Sequence, residues 1–169
     1  GRSCHWRRHM RAFLKQGTLV LAATSLSSRR LLGADDIHDL RVGLVTDLHY
    51  ADKATVGSRY YRQTLAKLEK AAEQFQQAKL TFAVELGDLI DSIDSVDLDL
   101  SYLKAINGQF SAVCQERHYV LGNHCVETLN KEEFLGEVGQ ERSYYSFDRG
   151  GVHFVVLDSC YRSDGVAYG

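Results

Sequence analysis

An α/β fold built on a parallel sheet is what this 169-residue sequence predicts. Three observations carry the expectation. Between Arg41 and His124, short apolar runs rich in Val and Leu alternate with segments whose apolar residues recur at helical spacing. That order of strand, helix, strand, helix, strand calls for right-handed crossovers and hence parallel strands. A hairpin signal, Asp148-Arg149-Gly150-Gly151, comes only late, so antiparallel strands are added after the parallel core.

The elements follow in order. "RVGLVTD", from Arg41, reads as a strand buried on both faces. Tyr61, Leu65, Leu68, Ala72 and Phe75 fall on one helical stripe. "LTFAVELGD" is the second strand. "VDLDLSYLKAINGQF" carries a second helix with Leu98, Tyr102 or Leu103, and Ile106 on its inner face. "RHYVLGNH" is the third strand. "SYYSFDRGGVHFVVLDS" is two strand runs joined by glycines able to take positive φ. The acidic run "DSIDSVDLD" lacks the central glycine and terminal Glu of a calcium-binding EF-hand loop and reads as a solvated loop leading into a helix cap.

Composition bounds the partners. Hydrophobic residues are 44% and charged residues 25%, which suggests neither a disordered nor a fibrous chain. The net charge of -2 hides an asymmetry: residues 1–30 carry seven Lys/Arg and no acid, and the remainder has 13 basic against 22 acidic residues. An acidic body argues against nucleic acid as a partner, because non-specific binding needs a basic surface. The basic start, with Met10-Arg11-Ala12-Phe13-Leu14-Lys15 leading into the apolar run "GTLVLAATSL", has the form of a secretory leader. The run is too short for a stable membrane span. Residues 1–34 are therefore expected to be a leader or signal-like segment that directs export to a periplasmic or extracellular location, with a cytoplasmic location as the alternative, and residues 35–169 the working domain. Cys114, Cys125 and Cys160 have no CxxC spacing and read as small buried hydrophobes.

The chemistry sits where the strands stop. The first run ends Asp47-Leu48-His49, the second Gly87-Asp88-Leu89-Ile90-Asp91, the third Gly122-Asn123-His124. In an open α/β sheet the ligand site lies beyond the carboxyl ends of the strands, so these groups should converge. Oxygen donors mixed with imidazole nitrogen suit Mn²⁺, Fe or Zn²⁺ better than Ca²⁺.

Three such motifs in this order resemble the calcineurin-like metallophosphoesterases, over residues from about Arg41 to Gly169. The resemblance implies a β-sandwich flanked by helices with two divalent metal ions at its carboxyl edge. It implies that Asp47 and His49 bind the first ion, that Asp88 bridges both and that Asn123 binds the second. His124 would face the scissile phosphate, with Asp91 paired to it and keeping it protonated. The activity implied is hydrolysis of a phosphoester or pyrophosphate bond by a hydroxide that the dinuclear centre activates. Arg59-Tyr60-Tyr61-Arg62 looks like the same region of the manganese-dependent ADP-ribose/CDP-alcohol diphosphatase branch, which implies a small nucleotide diphosphate substrate. The family completes its metal centre with a later histidine and a Gly-His-x-His motif. The sequence after His124 holds only His153, so residues 35–169 are expected to be the amino-terminal portion of the domain. The contrasting expectation is an inactive fragment that binds metal or phosphate weakly.

Overall fold

A computed structural model describes residues 13–15, 18–20 and 40–167. The chain divides into two units, Gly1–Asp35 and Asp36–Gly169. In the first, strands β1 (Phe13–Lys15) and β2 (Thr18–Val20) pair antiparallel. The rest of the leader-like segment lies outside the described residues.

The second unit runs β3 (Val42–Val45), α1 (Thr64–Ala78), β4 (Phe82–Glu85), α2 (Val96–Ser111), β5 (Arg117–Tyr119), α3 (Lys131–Val138), β6 (Tyr145–Arg149) and β7 (Val152–Val156). Strands β3, β4 and β5 form a parallel sheet in that order, with Leu44 beside Val84 and Val84 beside His118. The alternating pattern is thus realised. Strand parity gives the sheet two different faces. Gly43 lies on the helical face, where an added Cβ would come 2.4 Å from Leu80, so the missing side chain lets α1 seat closely on β3. Phe110 of α2 meets Tyr119 of β5 edge-on at 5.5 Å on the same face. Leu68, Ala83, Leu103, Ile106, Phe110 and Phe134 fill the core between them.

On the opposite face Phe82 packs edge-on against Phe147 and Phe154, and the His118 ring stacks on Phe147 at 3.9 Å. The β6–β7 hairpin is therefore a second, two-stranded sheet layered on the first by aromatic contacts and a hydrogen bond between His118 Nδ1 and the Tyr145 hydroxyl (2.7 Å); its strands do not pair with the parallel edge. Its turn is the one the glycines require, with φ 58° at Gly150 and 74° at Gly151.

Three expectations need correction. β3 is not buried on both faces: it is an edge strand and Leu44 is 57% exposed, because the hairpin rings cover β4 and β5 instead. Leu98 is not on the inner face of α2. The inner stripe starts with the fully buried Asp99 and continues through Leu103, Ile106 and Phe110. The acidic run is not a solvated loop, since the Asp99 carboxylate accepts from the Ile93 N–H (3.1 Å) and the Ser92 hydroxyl (2.8 Å) and draws the segment inward. Ser95 at the helix start makes no side-chain cap bond; the loop is held by Asp99 instead. The free cysteines match expectation, with Cys125 and Cys160 buried and Cys114 partly so.

The layers are tied at one corner by the Lys131 ammonium, 2.6 Å from the Asp158 carboxylate and 3.6 Å from the centre of the Tyr161 ring. Burial pushes the Asp158 carboxyl up, but hydrogen bonds from Lys131, the Ser143 hydroxyl and the Cys160 N–H, with the Lys131 charge, outweigh it and hold it below the usual carboxylate range. A depressed carboxyl contributes stability that is present above its unfolded value of about 3.9 and lost as the pH falls through the lower folded value. Replacing Asp158 by Asn should therefore lower the melting temperature near neutral pH. The difference from the parent should shrink in scans carried below about pH 4. A difference that stays constant with pH would contradict this account.

Candidate metal centre

Two loops leave the sheet side by side and keep pairing after the strands end. Asp47 N–H donates to the Gly87 carbonyl (3.0 Å), His49 N–H to Asp88 (2.8 Å), Tyr50 N–H to Leu89 (3.1 Å), and Asp91 N–H back to Tyr50 (3.1 Å). This zipper holds Asp47, His49 and Asp88 at φ 55°, 45° and 61°, in the left-handed region where non-glycine residues are uncommon. Such backbone costs about 1–3 kcal/mol per residue and persists where the surroundings over-determine it. Leu89 and Ile90, directly beyond, are fully buried and anchor it.

The third loop joins through Asp88. Its Oδ1 accepts from the His124 N–H at 3.0 Å, at the start of the single helical turn Asn123–Val126. A Cβ on Gly122 would lie 2.2 Å from both Asp88 N and Oδ1, so glycine is the residue that permits this approach.

The result is one cluster at the carboxyl edge. His49, Asp88 and His124 each offer a donor atom within 4.8 Å of the others. His49 Nε2 stands 3.7 Å from an oxygen of Asp47 and 3.7 Å from one of Asp88, while Nδ1 lies 3.0 Å from Asp91. With one ring nitrogen on a carboxylate, the other faces two further carboxylates, the orientation that a metal-binding imidazole needs. His124 Nδ1 lies 3.3 Å from Asp91 and 3.2 Å from Glu127, and its ring meets that of His49 edge-on at 4.9 Å. Asp47 and Asn123 stand exposed at the rim, and His49 and Asp91 are buried behind them. These nitrogen and carboxylate donors fit a divalent cation.

Asp91 anchors the cluster from within. Besides both imidazoles it meets Lys53 in a close ion pair, and Arg59 at 3.6 Å. Burial would raise its carboxyl, but the Lys53 bond and charge, the His49 bond and the His124 charge hold it below the ordinary value. Sequence reasoning missed Lys53 and Glu127, and it singled out Arg59 only within Arg59-Tyr60-Tyr61-Arg62 and not as a partner of Asp91; Glu127, three residues after His124, was open to detection as the next residue on that turn's face. It also missed Glu85. This carboxyl is fully buried under the Gly87–Asp88 turn and accepts the Gly87 N–H at 2.9 Å. Burial, with the charges of Asp88 and Asp47, pushes it well above the usual range against that hydrogen bond. His153 lies on β7 with Nδ1 2.8 Å from Asp148, in the hairpin strand where it was expected.

Strand-end carboxylates and imidazoles gathered over a parallel sheet give this α/β fold the donor set of a candidate divalent-metal site. No family model matches the chain. It is 29% identical over 138 residues to a manganese-dependent ADP-ribose/CDP-alcohol diphosphatase of Arabidopsis thaliana, covering 75% of this chain and 44% of that protein. The diphosphatase of the same name from Oryza sativa is 27% identical over 128 residues, covering 69% and 40%. Among solved structures, a dimetal phosphatase from Danio rerio superposes with a TM-score of 0.51 at 26% identity, over 57% of this chain and 33% of that one. The resemblance read from the three motifs is thereby supported: the chain is similar to manganese-dependent diphosphatases and to a dimetal phosphatase. It spans less than half the length of the curated relatives it matches.

Gly122→Ala should destabilise the protein by about 1–3 kcal/mol, the usual cost of forcing atoms into a filled space. Denaturant unfolding checks it, and an unchanged midpoint would mean the Asp88 contact is dispensable.

Proposed function

We propose that this chain is the metal-holding part of a hydrolase that cleaves a phosphoester or diphosphate bond with two divalent cations. The observation that carries the reading is the convergence of His49, Asp88 and His124 within 4.8 Å beside Asp47. In this reading Asp47, His49, Asp88 and Asn123 would hold the two ions. Divalent cations in such a pair supply Lewis acidity and neutralise charge on phosphoryl oxygens. The chain's own groups do the rest. Asp91 orients the His49 ring so that Nε2 faces the carboxylates. The His124 imidazole, with Nδ1 between Asp91 and Glu127, is set to donate a proton from Nε2 to a leaving oxygen.

The diphosphatases aligned above support the finer reading that the substrate is a small nucleotide diphosphate compound. The acidic body argues against nucleic acid. Among the described residues no helix is long and apolar enough to cross a membrane. Export rests on the leader-like pattern of Met10 to Leu26 alone.

The first test is metal binding. Mn²⁺ at about a hundred times its dissociation constant should stabilise the folded protein by about 2.7 kcal/mol. Asp88→Asn should abolish that shift. A melting curve indifferent to Mn²⁺ and to chelation would sink the reading. The second is turnover of ADP-ribose by the protein. Activity should vanish with chelator and return with Mn²⁺, and His124→Ala should lower kcat by about 10²–10⁴-fold. Metal binding without turnover would identify a binding fragment.

A further inference from the structure

We infer that the cleft beside the metal centre takes the non-reacting phosphoryl group of a diphosphate substrate, with Lys67 and Arg59 as its cationic partners; this rests on the phosphoryl-hydrolase reading above. The cleft lies between the loop that follows β3 and the first turns of α1. Its walls include Asp47 and His49 from the metal centre and Arg59, Tyr60, Thr64 and Lys67 from the far side. It is therefore continuous with the centre, and a group bound at the cations extends into it without leaving the protein surface.

Size and charge select the occupant. The cavity holds about 150 Å³. Pockets for whole drug-sized ligands run from about 300 to 1,000 Å³, so this one takes a compact group and not an entire nucleotide. Asp47 faces the metal side, where its carboxylate lies 3.7 Å from His49 Nε2. With that charge turned toward a cation, the charges left in the walls are the Arg59 guanidinium and the Lys67 ammonium. The Lys67 ammonium lies 5.5 Å over the Tyr60 ring and makes no ion pair among the described residues. Arg59 reaches Asp91 at 3.6 Å, which sets its guanidinium on the wall shared by cleft and metal centre. Two cations around a small cavity, one held over a ring and the other fixed by a buried carboxylate, match a second phosphoryl group placed next to the one at the metals. A monoester has no second phosphoryl group to put there.

The test compares two non-hydrolysable probes, methylphosphonate and methylenediphosphonate, titrated calorimetrically into the Mn²⁺-loaded protein. Lys67→Met should weaken methylenediphosphonate by about tenfold, the worth of one charge-assisted contact, and leave methylphosphonate unchanged. Lys67→Arg should recover most of the loss. An unchanged diphosphonate affinity in Lys67→Met overturns the inference. So does a parallel weakening of both probes, which is what a general loss of positive charge at a solvated helix would produce. Matching melting curves for parent and variants establish that each is folded. The underlying reading is judged separately: methylphosphonate binding that is indifferent to Mn²⁺ defeats the metal centre, and the Lys67 comparison on the diphosphonate still decides the cleft.

Discussion

The site depends on the close approach of two turns, Gly87–Asp88 after β4 and Gly122–Asn123 after β5. The added Cβ of Gly87 would lie 3.1 Å from the Gly122 Cα, and that of Gly122 would overlap Asp88 itself. Only with both side chains reduced to hydrogen can the Asp88 carboxylate accept the His124 N–H and also present its other oxygen to His49. One carboxylate thus links three loops. The left-handed backbone at Asp47, His49 and Asp88 costs free energy. The offset comes from below, where Leu89, Ile90, Cys125 and Val126 are fully buried directly after the ligand-bearing residues. The Cys125 thiol even accepts the Leu89 N–H, at 3.2 Å, so a side chain beside His124 satisfies a donor beside Asp88.

Electrostatics then decides which of the clustered carboxylates are free for a cation. Asp47, Asp88 and Asp91 lie close together, and like charges at this range repel. Asp91 is relieved by Lys53, Arg59 and two imidazoles, so it is spoken for. Among the described residues Asp47 has no such cation beside it: its partners are the Thr46 hydroxyl and the His49 ring. Asp88 likewise has His49 and a backbone N–H. The uncompensated pair is the pair that faces His49 Nε2, and a divalent cation is the natural counter-charge there.

Much of this was legible in the sequence, for physical reasons. Strand-helix alternation sets the topology, and topology brings strand ends together, so D-x-H, G-D-x-x-D and G-N-H could be placed at one edge from their order alone. Lys53 and Arg59 were not legible as partners of Asp91, because they reach it across a loop whose path depends on the zipper between Asp47–Tyr50 and Gly87–Asp91. Nor does a one-dimensional pattern distinguish an inward Asp99 from a surface acid: its burial follows from the Ile93 N–H and Ser92 hydroxyl it satisfies, and it displaces Leu98 to the outside. Glu85 was hidden the same way, inside an apolar strand where its carboxyl is the acceptor for the turn below Asp88. Leu44 was misread as buried because periodicity counts residues and not the neighbours that cover them.

A final consequence concerns how opposite charges are arranged in an acidic body. From residue 31 onward acids exceed bases by 22 to 13, a balance of -9, which repels phosphate-bearing ligands at long range. Binding such a ligand then requires local inversion of the field. The carboxylates at the centre can be inverted only by cations, and Lys53, Arg59 and Lys67 lie on the α1 side of the same edge. A divalent cation held at the proposed site would do two things in this architecture. It would offset the charge of Asp47 and Asp88, and so leave the neighbouring bases as the dominant field, which makes affinity for an anion conditional on the metal through charge alone.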